Sequence, residues 1–357
     1  RPSAVRAFYL PLLQNFIFMK LVLSFFLTVL VLIFSLQACT SRNESSSAEA
    51  TAQPDTISGL LPDTAKVTGV SDGFDQIPMI GSIEDNKPSL QTPTSQKEEL
   101  YNTITFKGKG AEERRKGIKL ASSGDLKGAI AEFTKSIEVH ERNPDAYFYR
   151  GKAKWELKDY AGAGVDFAKA IQIRPSQAPY YYYRGQMYLE QKRFQEALAD
   201  FDTTLARVPD YYDAVNYKGV VLAAMGKHQE AIETYGIVTK AVPQHALAWF
   251  NKGTSLASLK NFEEADIMFT RALEIDVKYS QAYINRGNSR FMLQRFAEAA
   301  EDYSKVIALQ PSNADAHYNR AFSYQRLNKQ SEACNDWKTA AGLGHKMAAS
   351  MLEQYCK

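Results

Sequence analysis

The chain has 357 residues, 45% of them hydrophobic and 23% charged, with 43 basic against 40 acidic side chains. Three of the basic ones, Arg1, Arg6 and Lys20, fall within residues 1–38, a stretch without a single acid, so the remainder is balanced and holds no basic arm or block. Nucleic-acid binding therefore lacks an electrostatic motive, and no nucleic-acid partner is expected.

Residues 1–38 read as an export device. Lys20 precedes sixteen uncharged, largely apolar residues (21–36), and the run closes on Leu36-Gln37-Ala38-Cys39. A basic start, an apolar core and a small residue before the cut describe a secretory signal. Sixteen residues fall short of the ~20 that a membrane span needs. Small residues ahead of a single cysteine resemble the signal of bacterial lipoproteins. That resemblance implies lipid on Cys39 and a lipid-anchored place in the cell envelope, facing the periplasm or the surface. Met19-Lys20 marks the expected start of translation, with residues 1–18 an upstream extension. Residues 39–109 then form a lipidated cysteine and a Ser/Thr/Pro-rich tether without a sustained apolar period. Such composition buries too little surface to offset ordering entropy, so disorder is expected. As a flexible coil, the roughly 68 residues beyond the cysteine span about 45 Å.

From residue 110 to residue 347 one pattern recurs seven times at an interval of 34, in units 110–143, 144–177, 178–211, 212–245, 246–279, 280–313 and 314–347. Position 8 reads Gly117, Gly151, Gly185, Gly219, Gly253, Gly287 and Ala321. Position 20 is Ala129, Ala163, Ala197, Ala231, Ala265, Ala299 and Ala333. Position 24 is aromatic throughout: Phe133, Phe167, Phe201, Tyr235, Phe269, Tyr303 and Trp337. Pro175, Pro209, Pro243 and Pro311 close four units at position 32, where proline cannot continue a helix. Two helical stretches of about a dozen residues fit each unit; in the second they are residues 145–157 and 160–172. Small residues at 8 and 20 let paired backbones approach closely, and the ring at 24 fills the space beside them.

A fixed period of this length marks stacked helical hairpins. The columns resemble the tetratricopeptide repeat family, which implies an all-α, right-handed superhelical α-solenoid of seven helix-turn-helix repeats. In the first unit Glu141 stands where proline is expected, and the polar run Glu113-Arg114-Arg115-Lys116 suits an exposed end. In the last, Ala321 and His345 replace glycine and proline. Residues 348–357 are expected to cap the array with a final helix, since Met347, Met351 and Tyr355 fall four apart.

Two side-chain pairings follow from the register. Position 7 is basic in every unit (Lys116, Arg150, Arg184, Lys218, Lys252, Arg286, Arg320), and position 23 is acidic in five (Glu132, Asp166, Asp200, Asp302, Asp336). An inter-helix ladder is expected, missing in the fourth and fifth units, where Thr234 and Met268 replace the acid. Cys334 and Cys356 remain as a pair once Cys39 is lipidated. Outside the cytoplasm they either oxidise, closing a loop worth roughly 3 kcal/mol, or sit as small buried hydrophobes.

Catalysis finds little footing. His140, His228, His245, His317 and His345 show no metal-ligand spacing, and His317 falls at an inward, usually aromatic position. The glycines serve packing rather than a phosphate loop, and no nucleophile has a base nearby in the pattern. No enzyme activity, cofactor or metal is expected.

In the resembled family the first helices line a concave groove through positions 2, 5, 9 and 12. Carried over, this groove comprises Phe148, Lys152, Trp155, Tyr182, Gln186, Asn216, Phe250, Thr254, Ile284, Asn288, Phe291, Tyr318 and Phe322. Rings at such positions suit capture of a protein or peptide ligand. Asn216/Val220, Phe250/Thr254 and Ile284/Asn288 do not reproduce the clamp of the family's chaperone-tail binders. The expected function is a non-catalytic protein–protein interaction scaffold of the envelope. The alternatives are an accessory that positions a cell-wall enzyme or glycan, and an enzyme with an unrecognised groove site.

Overall fold

The computed structural model describes residues 108–357; the expected signal, Cys39 and the tether up to residue 107 lie outside the described residues. The described part is all-α, fifteen helices without a strand. The hairpins are α1 (Ala111–Ser122) with α2 (Leu126–Val139), α3 (Pro144–Glu156) with α4 (Tyr160–Ile173), and α5 (Ala178–Glu190) with α6 (Phe194–Arg207). They continue as α7 (Tyr212–Ala224) with α8 (His228–Ala241), and α9 (Ala246–Ser258) with α10 (Phe262–Ile275). The last two are α11 (Ser280–Met292) with α12 (Phe296–Leu309) and α13 (Ala314–Arg326) with α14 (Gln330–Gly342), followed by α15 (Ala348–Tyr355).

Each hairpin turns through a left-handed residue at position 15: Gly124, Lys158, Lys192, Gly226, Lys260, Gln294 and Asn328. In the second hairpin the Lys158 N–H donates to the Trp155 carbonyl at 2.8 Å and the Asp159 N–H to the Lys154 carbonyl at 2.9 Å. These two bonds close the first helix in a Schellman turn. Asp125 and Asp159 then cap the following helices by accepting from the N–H groups of Gly128 and Gly162. Left-handed backbone costs an L side chain on the order of 1–2 kcal/mol. Changing Lys158, Lys192 and Lys260 to glycine should therefore stabilise the array by roughly 0.5–1 kcal/mol each, after glycine's larger unfolded-state entropy is subtracted. Urea unfolding checks this, and a net loss from all three changes would contradict it.

The small columns work by contact. A Cβ on Gly117 would lie 2.5 Å from the Phe133 ring, on Gly219 2.5 Å from Tyr235, and on Gly253 2.8 Å from Phe269. All seven rings at position 24 and all seven alanines at position 20 are buried. The hairpin core is thus a ring lying against a glycine backbone.

The charge ladder has four rungs rather than five. Arg150, Arg184, Arg286 and Arg320 each fork through Nε and Nη2 onto Asp166, Asp200, Asp302 and Asp336 at 2.6–3.0 Å. Burial pushes the Asp200 and Asp302 carboxyls above their ordinary range, and the paired arginines oppose it. The Nη1 atoms of Arg150, Arg286 and Arg320 also donate backward to Thr134, Thr270 and Ser304 at 3.0–3.1 Å. One guanidinium thereby joins three helices across two hairpins, as only a planar fork can. The first-unit rung does not form: Lys116 faces Glu112 and Glu132 holds Lys135. A lysine lacks the second arm, and here it is mostly exposed with local partners in reach. Nor is Arg114 part of an exposed end, because it is buried and its Nη1 donates to Asn143 at 3.1 Å.

At the far end α15 lies against α14. Ala348 is buried, Met351, Leu352 and Tyr355 pack on the terminal cluster, and the Tyr355 ring stacks on Trp337 at 5.6 Å. Met347 stays 47% exposed, so the packed stripe starts one residue later than the spacing predicts. Cys334 and Cys356 are joined by a disulfide, with Cα atoms 5.7 Å apart. No described helix is long and apolar enough to cross a membrane.

Candidate partner-binding site

The first helices of the second to seventh hairpins carry the expected partner residues, and the structure places most of them inside. Phe148, Tyr182, Gln186, Asn216, Phe250, Thr254, Asn288, Phe291, Tyr318 and Phe322 are all buried. Lys152, Trp155 and Ile284 are the ones left partly open.

The reason lies in where position 5 points. Phe148 meets the position-24 ring of its own hairpin, Phe167, at 6.1 Å, and Tyr180 of the next at 4.9 Å. Tyr182 meets Phe201 of its own hairpin and Tyr211 just ahead of α7, and Phe250 meets Phe269 and Tyr279 just ahead of α11. Tyr318 stacks on His345 at 3.9 Å, whose imidazole burial pushes below its usual range against the pull of Asp315. Phe322 packs edge-on against Trp337. These rings seal hairpins and seams, so the structure places them in the core.

The buried polar members tie neighbouring helices. Asn251 Nδ2 donates to Asn216 Oδ1 at 3.2 Å, Asn285 Nδ2 to Thr254 Oγ1 at 3.4 Å, and the Tyr303 hydroxyl to Asn288 Oδ1 at 2.7 Å. Gln186 is different. It is 3% exposed, yet among the described residues neither Nε2 nor Oε1 has a hydrogen-bond partner. Leaving such a group unpaired costs on the order of 1–3 kcal/mol.

In the column beside this row, the asparagines bear on the chaperone-tail clamp and the tyrosines are the part that sequence reasoning passed over. Position 6 reads Tyr149, Tyr183 and Tyr217 in the second to fourth hairpins, then Asn251, Asn285 and Asn319. The Lys152 ammonium sits 3.7 Å from the Tyr183 ring centroid, a close cation–π contact. Glu190 gathers Trp155 Nε1 at 2.9 Å, the Tyr160 hydroxyl at 3.2 Å and Lys158 Nζ at 3.3 Å. The switch from tyrosine to asparagine was visible in the 34-residue column; the Glu190 knot was not, since it joins residues 30 to 35 apart across a seam.

The arrangement offers surface and hydrogen bonding. His317 is buried between Asp336 and the Pro311 carbonyl, both at 3.2 Å. No group of three or more His, Cys, Asp or Glu is placed to hold a metal ion among the described residues.

Comparison with known proteins agrees with this architecture. The family described as tetratricopeptide repeat matches residues 114–180, 182–237 and 218–276, and that described as TPR repeat matches 287–328. A crystal structure of a tetratricopeptide repeat protein from Parabacteroides merdae superposes with a TM-score of 0.53 at 17% identity, over 70% of this chain and 99% of that one. The C-terminal part of a TPR repeat-containing protein from Cytophaga hutchinsonii gives 0.55 at 18% identity, over 67% and 98%. PilF of Pseudomonas aeruginosa gives 0.53 at 16%, over 60% and 97%. At these identities the likeness concerns the fold. No curated protein matches the chain in sequence.

Proposed function

We propose, from the premise that this chain belongs to the tetratricopeptide-repeat family, that it is a non-catalytic interaction scaffold of the bacterial cell envelope. It is held to a membrane through lipid on Cys39 and binds a protein partner along its row of first helices. Lys152, Trp155 and Ile284 carry the reading: they are the members of that row whose surface stays open to a ligand.

Anchoring is tested apart from binding. Metabolic labelling with a fatty-acid analogue is expected to mark the wild-type chain and leave Cys39→Ala unmarked. Equal labelling of the two would remove the anchor from the proposal.

One observation favours a second reading, an accessory that positions a cell-wall enzyme or glycan. Trp155 and Tyr160 converge on the Glu190 carboxylate, a combination of ring faces and acceptor suited to sugar. Binding of a muropeptide by the purified protein, without any protein partner, would favour it.

A further inference from the structure

Consecutive hairpins meet along a seam where position 21 of one faces position 11 of the next. Most seams are filled. Leu198 with Leu222, and Ile232 with Leu256, belong to shared apolar clusters. Asp266 instead pairs with Arg290 at 2.8 Å, and Cys334 bonds to Cys356 on the cap. At the seam between the second and third hairpins the residue is Gly164, facing Tyr188. A Cβ there would meet only the Met187 methyl, at 3.7 Å.

The missing side chain leaves a cleft of about 590 Å³ lined by Tyr160, Gly164, Val165, Met187, Tyr188 and Arg193. Val165 is 69% exposed on its rim. A second cleft of about 500 Å³ adjoins it across Val165, with Arg150 and Lys169 in its wall. The surroundings are basic. Residues 144–193 hold nine Lys and Arg against five Asp and Glu; with Asp200 and Glu196, which bind Arg184 and Arg193, an excess of two cations remains, while the chain from residue 39 onward is balanced. The carboxylate in these walls, Asp166, is 1% exposed and already bound by Arg150 and Lys154. At the cleft edge the Arg193 guanidinium lies 4.2 Å over the Tyr188 ring and pairs with Glu196 at 2.9 Å, while the Lys169 ammonium adds charge in the adjoining wall.

We propose that this cleft seats one large apolar side chain from an acidic segment of another protein. The walls of Val165, Met187 and two tyrosine rings take the side chain, and the cations around it attract the flanking carboxylates. The surface is separate from the row proposed above. Tyr188 follows Gln186 by two residues, about 200° around α5, so either surface can fail without the other.

Gly164→Leu tests it, because it installs the side chain that Leu198 supplies at the next seam. The helix accepts the change at its backbone, and the melting temperature should hold or rise. The full mature protein is titrated with fluorescein-labelled peptides carrying one Leu, Phe or Trp between Asp and Glu residues. A matched set replaces the acids with Asn and Gln. Acidic peptides are expected to bind about tenfold more tightly than the amide set at low salt, and to weaken as salt is added. Gly164→Leu is expected to weaken them about tenfold while staying folded, and Lys169→Glu/Arg193→Glu to erase the acid preference.

No acidic peptide binding, equal binding of both sets, or full binding by Gly164→Leu would each overturn the proposal. Sedimentation showing that wild type dimerises and Gly164→Leu does not would assign the cleft to a second copy, and overturn it too.

Discussion

Gly219→Val is expected to destabilise the array by roughly 2–3 kcal/mol, the upper range for overpacking a core. The new Cβ would sit 2.5 Å from the Tyr235 ring, which is 1% exposed and has nowhere to turn. Either α7 and α8 separate or the ring leaves its rotamer, and both forfeit the contact that closes the fourth hairpin. Neighbouring hairpins share their seams with this one, so the loss should spread along the stack. Urea unfolding gives the total, and amide exchange in α7 and α8 shows where it begins. Gly164→Ala is the control: its Cβ meets only the Met187 methyl at ordinary contact, so a gain approaching 1 kcal/mol is expected there. A loss at Gly219 no larger than about 0.5 kcal/mol would mean the glycine column is dispensable.

Arg184→Met should cost about 3 kcal/mol at neutral pH, in the range found when a buried pair loses one partner. Asp200 is 4% exposed, and Arg184 holds it through two bonds of 2.8 Å. Burial already pushes its carboxyl above the ordinary range, and removal of the guanidinium leaves burial unopposed. The sign of the pH dependence follows. With a folded-state pKa above the unfolded value, the folded protein takes up a proton first as pH falls. The deficit should therefore be full near pH 7 and shrink as pH falls through the raised value toward about 4. A deficit constant across that window would place the cost elsewhere than the stranded carboxylate. Arg184→Lys should fall between, keeping charge without the fork.

Much of this fold is legible because the period repeats the same question seven times. Small residues at 8 and 20 with a ring at 24 admit one geometry, and Gly219 against Tyr235 displays it. The rungs at Asp166, Asp200, Asp302 and Asp336 were legible for the same reason, whereas the first-unit rung turned on how far a lysine reaches, which spacing does not encode. Partner residues were harder to read. Large rings at position 5 look like anchors on a helical wheel, but a rotation of a few tens of degrees carries Phe148 and Phe250 onto the position-24 rings instead. The unpaired Gln186 and the empty seam at Gly164 appear only in three dimensions, since each is defined by what a neighbouring hairpin fails to supply. The left-handed backbone at Lys158, Lys192 and Lys260 is likewise a property of the turn in three dimensions that spacing does not encode.

The scaffold reading is tested most directly by capture in living cells. A benzophenone side chain is placed at Lys152 or at Ile284, both partly open on the row of first helices, and at Val277, 65% exposed, as control. Irradiation is expected to trap one discrete protein adduct in the membrane fraction from positions 152 and 284, and none from 277. Silence at both row positions, or the same adducts from all three, would contradict it.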